Sequence, residues 1–350
     1  MSCRINHLLR GIFTVAAVTV LPFAAQAGDV TKLIIRNQDS LATAGDFVHT
    51  EITPAGKKIA VRLHELLSEP KLNTGELKKL AAQCAEFSPA KIANREMIAL
   101  GWILETMVSG AKPKFKNDLE EAYFIFFTEN KCSRLKTYLL AQYKLSGYET
   151  MEPEQLMQNL NLFQNALIYN SPYREKWEPV DQILKLVAVK PGESVIDYGC
   201  RQGYYSIRFR DLVGKNGMVY CLDNDRGHID FLQKFIVQYD IPNMLATKSS
   251  DGNIGLVSNK ADVIFINQMY HFIYIYAPRV QQKQLLNSMK KTLRNGGRLI
   301  ILDNNPVKGV SGYTLDPRLI EAQLSFYGFK LSRHIQLTPY VYYLEFINRK

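Results

Sequence analysis

Val195-Ile196-Asp197-Tyr198-Gly199-Cys200-Arg201-Gln202-Gly203-Tyr204-Tyr205-Ser206 decides the fold. An apolar run ends in an acid, a glycine-bearing loop follows, and then a helix-like segment. A parallel α/β sheet presents a small-molecule ligand in this way, at the carboxyl end of its first strand. Gly199 and Gly203 let the backbone approach a ligand with no Cβ in between. The next apolar run, Val219-Tyr220-Cys221-Leu222, closes in a second acid, Asp223.

Around this stretch, apolar strands alternate with helical segments. Trp177 to Val189 reads as a helix ended by Lys190-Pro191-Gly192. Strands are expected at 194–198, 218–223, 243–247, 262–267 and 297–303. Such alternation predicts a parallel sheet covered on both faces. Phe329–Leu337 and Tyr340–Phe346, split by Thr338-Pro339, read as a hairpin, so the last strand runs antiparallel. The expected fold class is α/β: a doubly wound, mostly parallel seven-stranded sheet with a C-terminal antiparallel hairpin. Upstream, residues from about 56 to 168 carry apolar side chains at helical spacing. Ser88-Pro89, Asn117-Asp118 and Pro153 read as helix starts there. Asn170-Ser171-Pro172-Tyr173-Arg174 breaks the pattern, so an all-α domain at 28–169 is expected to precede an α/β domain at 170–350.

The order of these pieces resembles the class I methyltransferases, which use S-adenosylmethionine. Further pieces fit: Pro191-Gly192 before the first strand, Asn295-Gly296-Gly297-Arg298 before Leu299–Asp303, and Tyr327-Gly328-Phe329 before the hairpin. The resemblance covers about 175–350 and not the helical half. By its residues, Asp197 balances a cationic ligand end or caps the loop amides; the family's matching acid helps hold the methionine part. Asp223 offers acceptors to a ribose diol from a solvent-facing strand end, with Asp225 a less favoured neighbour. The resemblance makes Asp251 the candidate for the adenine amino group, although Asp251-Gly252 is also an ordinary turn. It places Asn267 with the cofactor and turns the following loop, with Tyr270 and His271, toward the methyl acceptor as candidate catalytic groups. Core packing is the competing reading of both. One departure stands out: Arg201 occupies the middle position of an acid-x-Gly-x-Gly-x-Gly pattern. A positive φ there strains arginine, and a side chain aimed inward repels a sulfonium. A dinucleotide fingerprint needs glycines at 199, 201 and 204, and only the first is present.

Composition and ends bound the rest. The formal charge of +10, to which Arg4 and Arg10 contribute two, is spread without a basic block or nucleic-acid motif. Small-molecule or lipid-like acceptors are favoured over nucleic acid. No Cys or His spacing implies a metal. The basic start, the apolar Gly11–Leu21 and Ala25-Gln26-Ala27 form a cleavable signal peptide over 1–27, which predicts a periplasmic or secreted chain starting at Gly28 with no transmembrane segment. Cys84–Cys132 is the one disulfide worth considering in such a compartment. Export and Arg201 also keep open a noncatalytic ligand-binding or interaction module that retains the fold. The acceptor and the oligomeric state stay open.

Overall fold

A computed structural model describes residues 52–87, 95–110, 113–250, 252–306 and 313–349. The signal-peptide region, Ser88-Pro89 and Asp251 lie outside the described residues.

Helices come first: α1 (Pro54–Ser68), α2 (Thr74–Ala85), α3 (Arg95–Met107), α4 (Asp118–Tyr143) and α5 (Pro153–Tyr169). Their starts are chemically marked. Thr53 Oγ1 accepts the Gly56 amide at 3.0 Å, and Asn117 Oδ1 accepts that of Glu120 at 3.0 Å. Proline opens α1 and α5, where its missing N–H costs nothing. Leu63, Leu66, Leu100, Ile103, Phe127, Leu135 and Leu139 fill a shared core. Within α4, Asn130, Lys131 and Cys132 take left-handed φ of 51°, 55° and 58°, which breaks the helix between two straight pieces.

The second half is the expected α/β layer. A 3₁₀ turn (Pro172–Lys176) leads to α6 (Val180–Val187), shorter than the predicted 177–189 because Ala188 turns left-handed at φ 48°. Then come β1 (Ser194–Tyr198), α7 (Tyr204–Val213), β2 (Met218–Asp223), α8 (Arg226–Gln238), β3 (Met244–Lys248) and β4 (Ala261–Asn267). α9 (Tyr270–Tyr276), α10 (Arg279–Thr292), β5 (Leu293–Asn304), α11 (Pro317–Phe326), β6 (Phe329–Thr338) and β7 (Val341–Asn348) complete it. The seven strands lie in the order β3-β2-β1-β4-β5-β7-β6. The first five are parallel, and β7 runs antiparallel to both β5 and β6. Side chains alternate across the sheet. Val195, Val219, Val263 and Phe265 pack under α6, α7 and α8, while Ile196, Tyr220, Ile264 and Ile266 face α9, α10 and α11. Chain reversal between β1 and β4 creates the crevice in which doubly wound sheets bind ligands.

The halves touch. The Phe126 ring of α4 meets that of Phe231 on α8 edge-on at 5.5 Å. Arg210 pairs with Asp118 at 3.2 Å, and the Tyr239 hydroxyl donates to Glu121 at 3.2 Å. The four described cysteines are free and buried, so the pairing of Cys84 with Cys132 is not formed. Cys84 packs against Gly101 on α3, and the Cys132 thiol turns to the Thr128 carbonyl.

Glu96 is the odd group in the helical core. It is buried, accepts the Tyr143 hydroxyl at 2.9 Å, and burial raises its carboxyl to about 7. The unfolded chain loses this proton near the ordinary 4.5, the folded one near 7, so stability falls as pH rises through that window. Glu96→Gln should leave stability at pH 4 about unchanged and add roughly 2–3 kcal/mol at pH 8. Urea unfolding at both pH values checks this; equal stability of the two proteins at pH 8 would contradict it.

Candidate functional site

A small cavity, partly open to solvent, sits at the carboxyl ends of β1 and β4. The glycine loop forms one side. Gly199 and Gly203 have φ of +80° and +87°, and a Cβ on either would meet Met269 at 3.0 Å or Leu232 at 2.6 Å. These are positions only glycine fills without strain. Gly199 and Cys200 donate their amides to the Leu222 carbonyl at 2.7 and 3.1 Å, which lashes the loop to β2. Arg201 is left-handed, with φ 49°.

Asp197 stands at the floor, 4% exposed, and accepts the Ser206 hydroxyl at 2.6 Å. Burial raises it to about 7; Ser206 and Arg174 pull it down and Asp223 adds to the rise. Opposite lies Arg174, from the stretch expected to mark the domain boundary. Ser171 caps that turn by accepting the Tyr173 amide at 3.1 Å. The turn thereby carries the Arg174 guanidinium inward, where Nε pairs with Glu178 and Nη1 donates to the Tyr169 carbonyl at 2.8 Å. The guanidinium also lies over the rings of Tyr204 at 4.5 Å and Tyr205 at 5.1 Å. Burial opposes its charge, but Glu178 and the tyrosines more than compensate, so Arg174 holds its proton above the usual range. Glu178 is held low by Arg174 in spite of burial. Asn267, at the end of β4, donates to Glu178 at 3.1 Å.

Four polar atoms on the lining are buried without a partner: Asn170 Oδ1, Tyr204 OH, Tyr205 OH and Asn267 Oδ1. Orphaned polar atoms are costly unless something fills the space. With one acid, one buried cation and these orphans, the cavity suits a small ligand carrying both charges.

The other candidates are dispersed. Asp223 ends β2 as expected but is buried and does not face solvent. Its Oδ2 accepts the Arg201 amide and its Oδ1 the Asp225 amide, each at 2.9 Å. Two lone-pair directions remain for a diol. Asp225 caps α8 by accepting the Gly227 amide at 2.7 Å. Tyr270 is fully buried and donates its hydroxyl to Gln323 at 2.6 Å, in the core beneath α11. His271 lies outside the cavity lining. Its Nδ1 is 2.6 Å from Asp303 Oδ1, and its amide donates to Asp303 Oδ2 at 2.9 Å. Asp303 is the next-to-last residue of β5 and falls in the strand expected at 297–303; its position after the Leu299–Leu302 run is the signal for it.

Residues 189–336 match the family model described as "Methyltransferase domain". Over 120 residues the chain is 26% identical to the "Probable cobalt-precorrin-6B C(15)-methyltransferase (decarboxylating)" of Saccharolobus solfataricus, which covers 34% of this chain and 56% of that protein. The chain thus spans a little over half the length of this curated relative. A SAM-dependent methyltransferase from Aquifex aeolicus is similar in structure, at 21% identity and TM-score 0.46 over 51% of this chain and 93% of that one. Geranyl diphosphate methyltransferase in complex with GPP and sinefungin shows 12% identity and TM-score 0.43 over 53% and 82%.

The Arg174–Glu178 pair can be tested directly. Removing one partner strands a buried charge, so Arg174→Met should cost about 3–5 kcal/mol. Arg174→Met with Glu178→Leu should recover most of that loss. Chemical denaturation of these two variants and of Glu178→Leu alone, against wild type, reads the cycle; additive losses would show that the two side chains do not support each other.

Proposed function

We propose, from the match of residues 189–336 to the methyltransferase-domain family model, that the chain binds S-adenosylmethionine and methylates a small-molecule acceptor. The observation that carries this is the cavity in which buried Asp197 and buried Arg174 stand together at the end of β1. An amino-acid end needs that pair: an acid for its ammonium and a cation for its carboxylate. Arg174 Nη2 has no hydrogen-bond partner among the described residues and is available for the second role. The cradle glycines and the orphaned lining atoms also fit such a ligand.

When bound, the cofactor supplies a methyl group activated by its sulfonium. The chain's own residues hold and orient it. Asp197 takes the ammonium, Asn267 borders the methionine end, and the free lone pairs of Asp223 take the ribose hydroxyls. Asp251 is proposed for the adenine amino group. On the acceptor side, Asp303 takes a hydrogen bond from His271 Nδ1–H, which leaves Nε2 as the acceptor for a substrate proton. The buried Tyr270 hydroxyl supports packing there. The curated relative's own name gives a small-molecule acceptor, cobalt-precorrin-6B, which supports the acceptor class. Export belongs to the same proposal: the basic, apolar and A-x-A segments of residues 1–27 support it. Mass spectrometry of the mature protein should then show a chain starting at Gly28, and an intact Met1 would overturn export.

Calorimetry with S-adenosylmethionine tests the cofactor. Asp197 must be ionised to hold an ammonium, and burial places its titration near 7. Affinity should therefore fall up to about tenfold per pH unit below 7 and level off above it. Asp197→Asn should weaken binding roughly 10- to 150-fold at pH 8 and flatten the pH dependence. If neither S-adenosylmethionine nor its demethylated product binds wild type at millimolar concentration, the reading fails.

A further inference from the structure

Tyr169, the last residue of α5, brings an aromatic ring from the helical half to the cofactor cavity. The Arg201 guanidinium carbon lies 3.6 Å from the centroid of that ring, closer than Arg174 to any of its three rings in the cavity. Arg201 also lines the cavity. Its hydrogen bonds run through the backbone: its amide donates to Asp223 at 2.9 Å, and its carbonyl accepts the Cys200 thiol at 3.5 Å. The residue holds this place from a left-handed φ of 49°, a conformation unfavourable for a side-chain-bearing residue. The loop thus presents a cation to an aromatic face, inside a site that must accept another cation.

We infer that the Tyr169 ring is a cation-binding wall of the cofactor site, and that Arg201 occupies it as a built-in competitor of the sulfonium. The inference rests on the cofactor reading above. An aromatic face attracts a cation through its quadrupole, and one face of one ring holds one cation at close range. Two positive charges in a partly enclosed cavity also repel each other more than they do in water. Binding therefore requires the guanidinium to yield the ring. The demethylated product is neutral at sulfur and gains nothing from the exchange. The wall belongs to the helical half, so that half takes part in choosing between cofactor and product. Anchoring supports this: Asn170 donates to the Gln202 carbonyl at 3.0 Å, and Gln202 donates to the Leu162 carbonyl at 3.3 Å. The end of α5 and the glycine loop thus hold Tyr169 and Arg201 in register.

The test is calorimetry with S-adenosylmethionine and with its demethylated product, on the full chain. Arg201→Gly should tighten the sulfonium cofactor roughly 3- to 30-fold and change the product by less than about twofold. Adding Tyr169→Leu to Arg201→Gly should cancel the gain for the cofactor and leave the product as it was. Tyr169→Phe keeps the ring and should behave as wild type with both ligands. Circular dichroism melting confirms that each variant is folded. Equal tightening of both ligands would mean that Arg201 is merely a steric obstacle, and unchanged affinities that it is a bystander; either overturns the inference. Absence of binding by both ligands to every variant instead removes the cofactor reading, and this inference with it.

Discussion

The Arg174–Glu178 pair is the interaction on which the site depends. Two full charges lie almost out of contact with water, and their mutual attraction alone rarely offsets such desolvation. The chain supplies the remainder from three elements. Tyr169 ends α5 and gives its carbonyl, Asn267 ends β4 and gives an amide, and Tyr204 and Tyr205 start α7 and give their rings. Each element must be in place for the pair to be tolerated. The same requirement fixes the distance between the helical half and the C-terminal edge of the sheet, where Asp197 stands.

A second device sets the glycine loop. Asp223 holds the amides of Arg201 and Asp225, and the Leu222 carbonyl holds those of Gly199 and Cys200. The acid that sequence reasoning reserved for a ligand therefore also serves the backbone. Its carboxylate has the capacity for both, since two oxygens offer about four acceptor positions. Replacing it disturbs the support together with the recognition, so a binding loss at Asp223 is harder to interpret than one at Asp197.

Much of the α/β half is legible in the sequence. Val195–Tyr198 and Val219–Asp223 are apolar runs closed by acids or aromatics, and the structure has strands there. Thr338-Pro339 marks the turn between β6 and β7. The helix starts at Asn117 and Pro153 rest on local chemistry that a sequence displays. The site is less legible, because its partners are far apart along the chain. Glu178 meets Asn267 and His271 meets Asp303 only once the sheet has formed. Asn170 to Arg174 reads as a domain boundary because Ser171-Pro172 breaks the helical pattern; burial of Arg174 is a tertiary event with no period to show it. Tyr270 is the converse case. The resemblance turns the loop after β4 toward an acceptor, but the helical phase of α9 turns the Tyr270 hydroxyl toward Gln323.

The strand order has a consequence for how the domain is made. β7 follows β6 in the chain yet lies inside the sheet, between β5 and β6. During synthesis β6 therefore emerges with no neighbour to pair with, and the edge of β5 stays bare until residues 341–348 have left the ribosome. Such an edge is open to pairing with other chains. Asn348 then closes the structure from a distance, donating to the carbonyls of Lys290, Leu293 and Arg294 at the α10–β5 junction. The sheet is thus completed late and through contacts distant in sequence, which makes its assembly slow and dependent on protection while it waits.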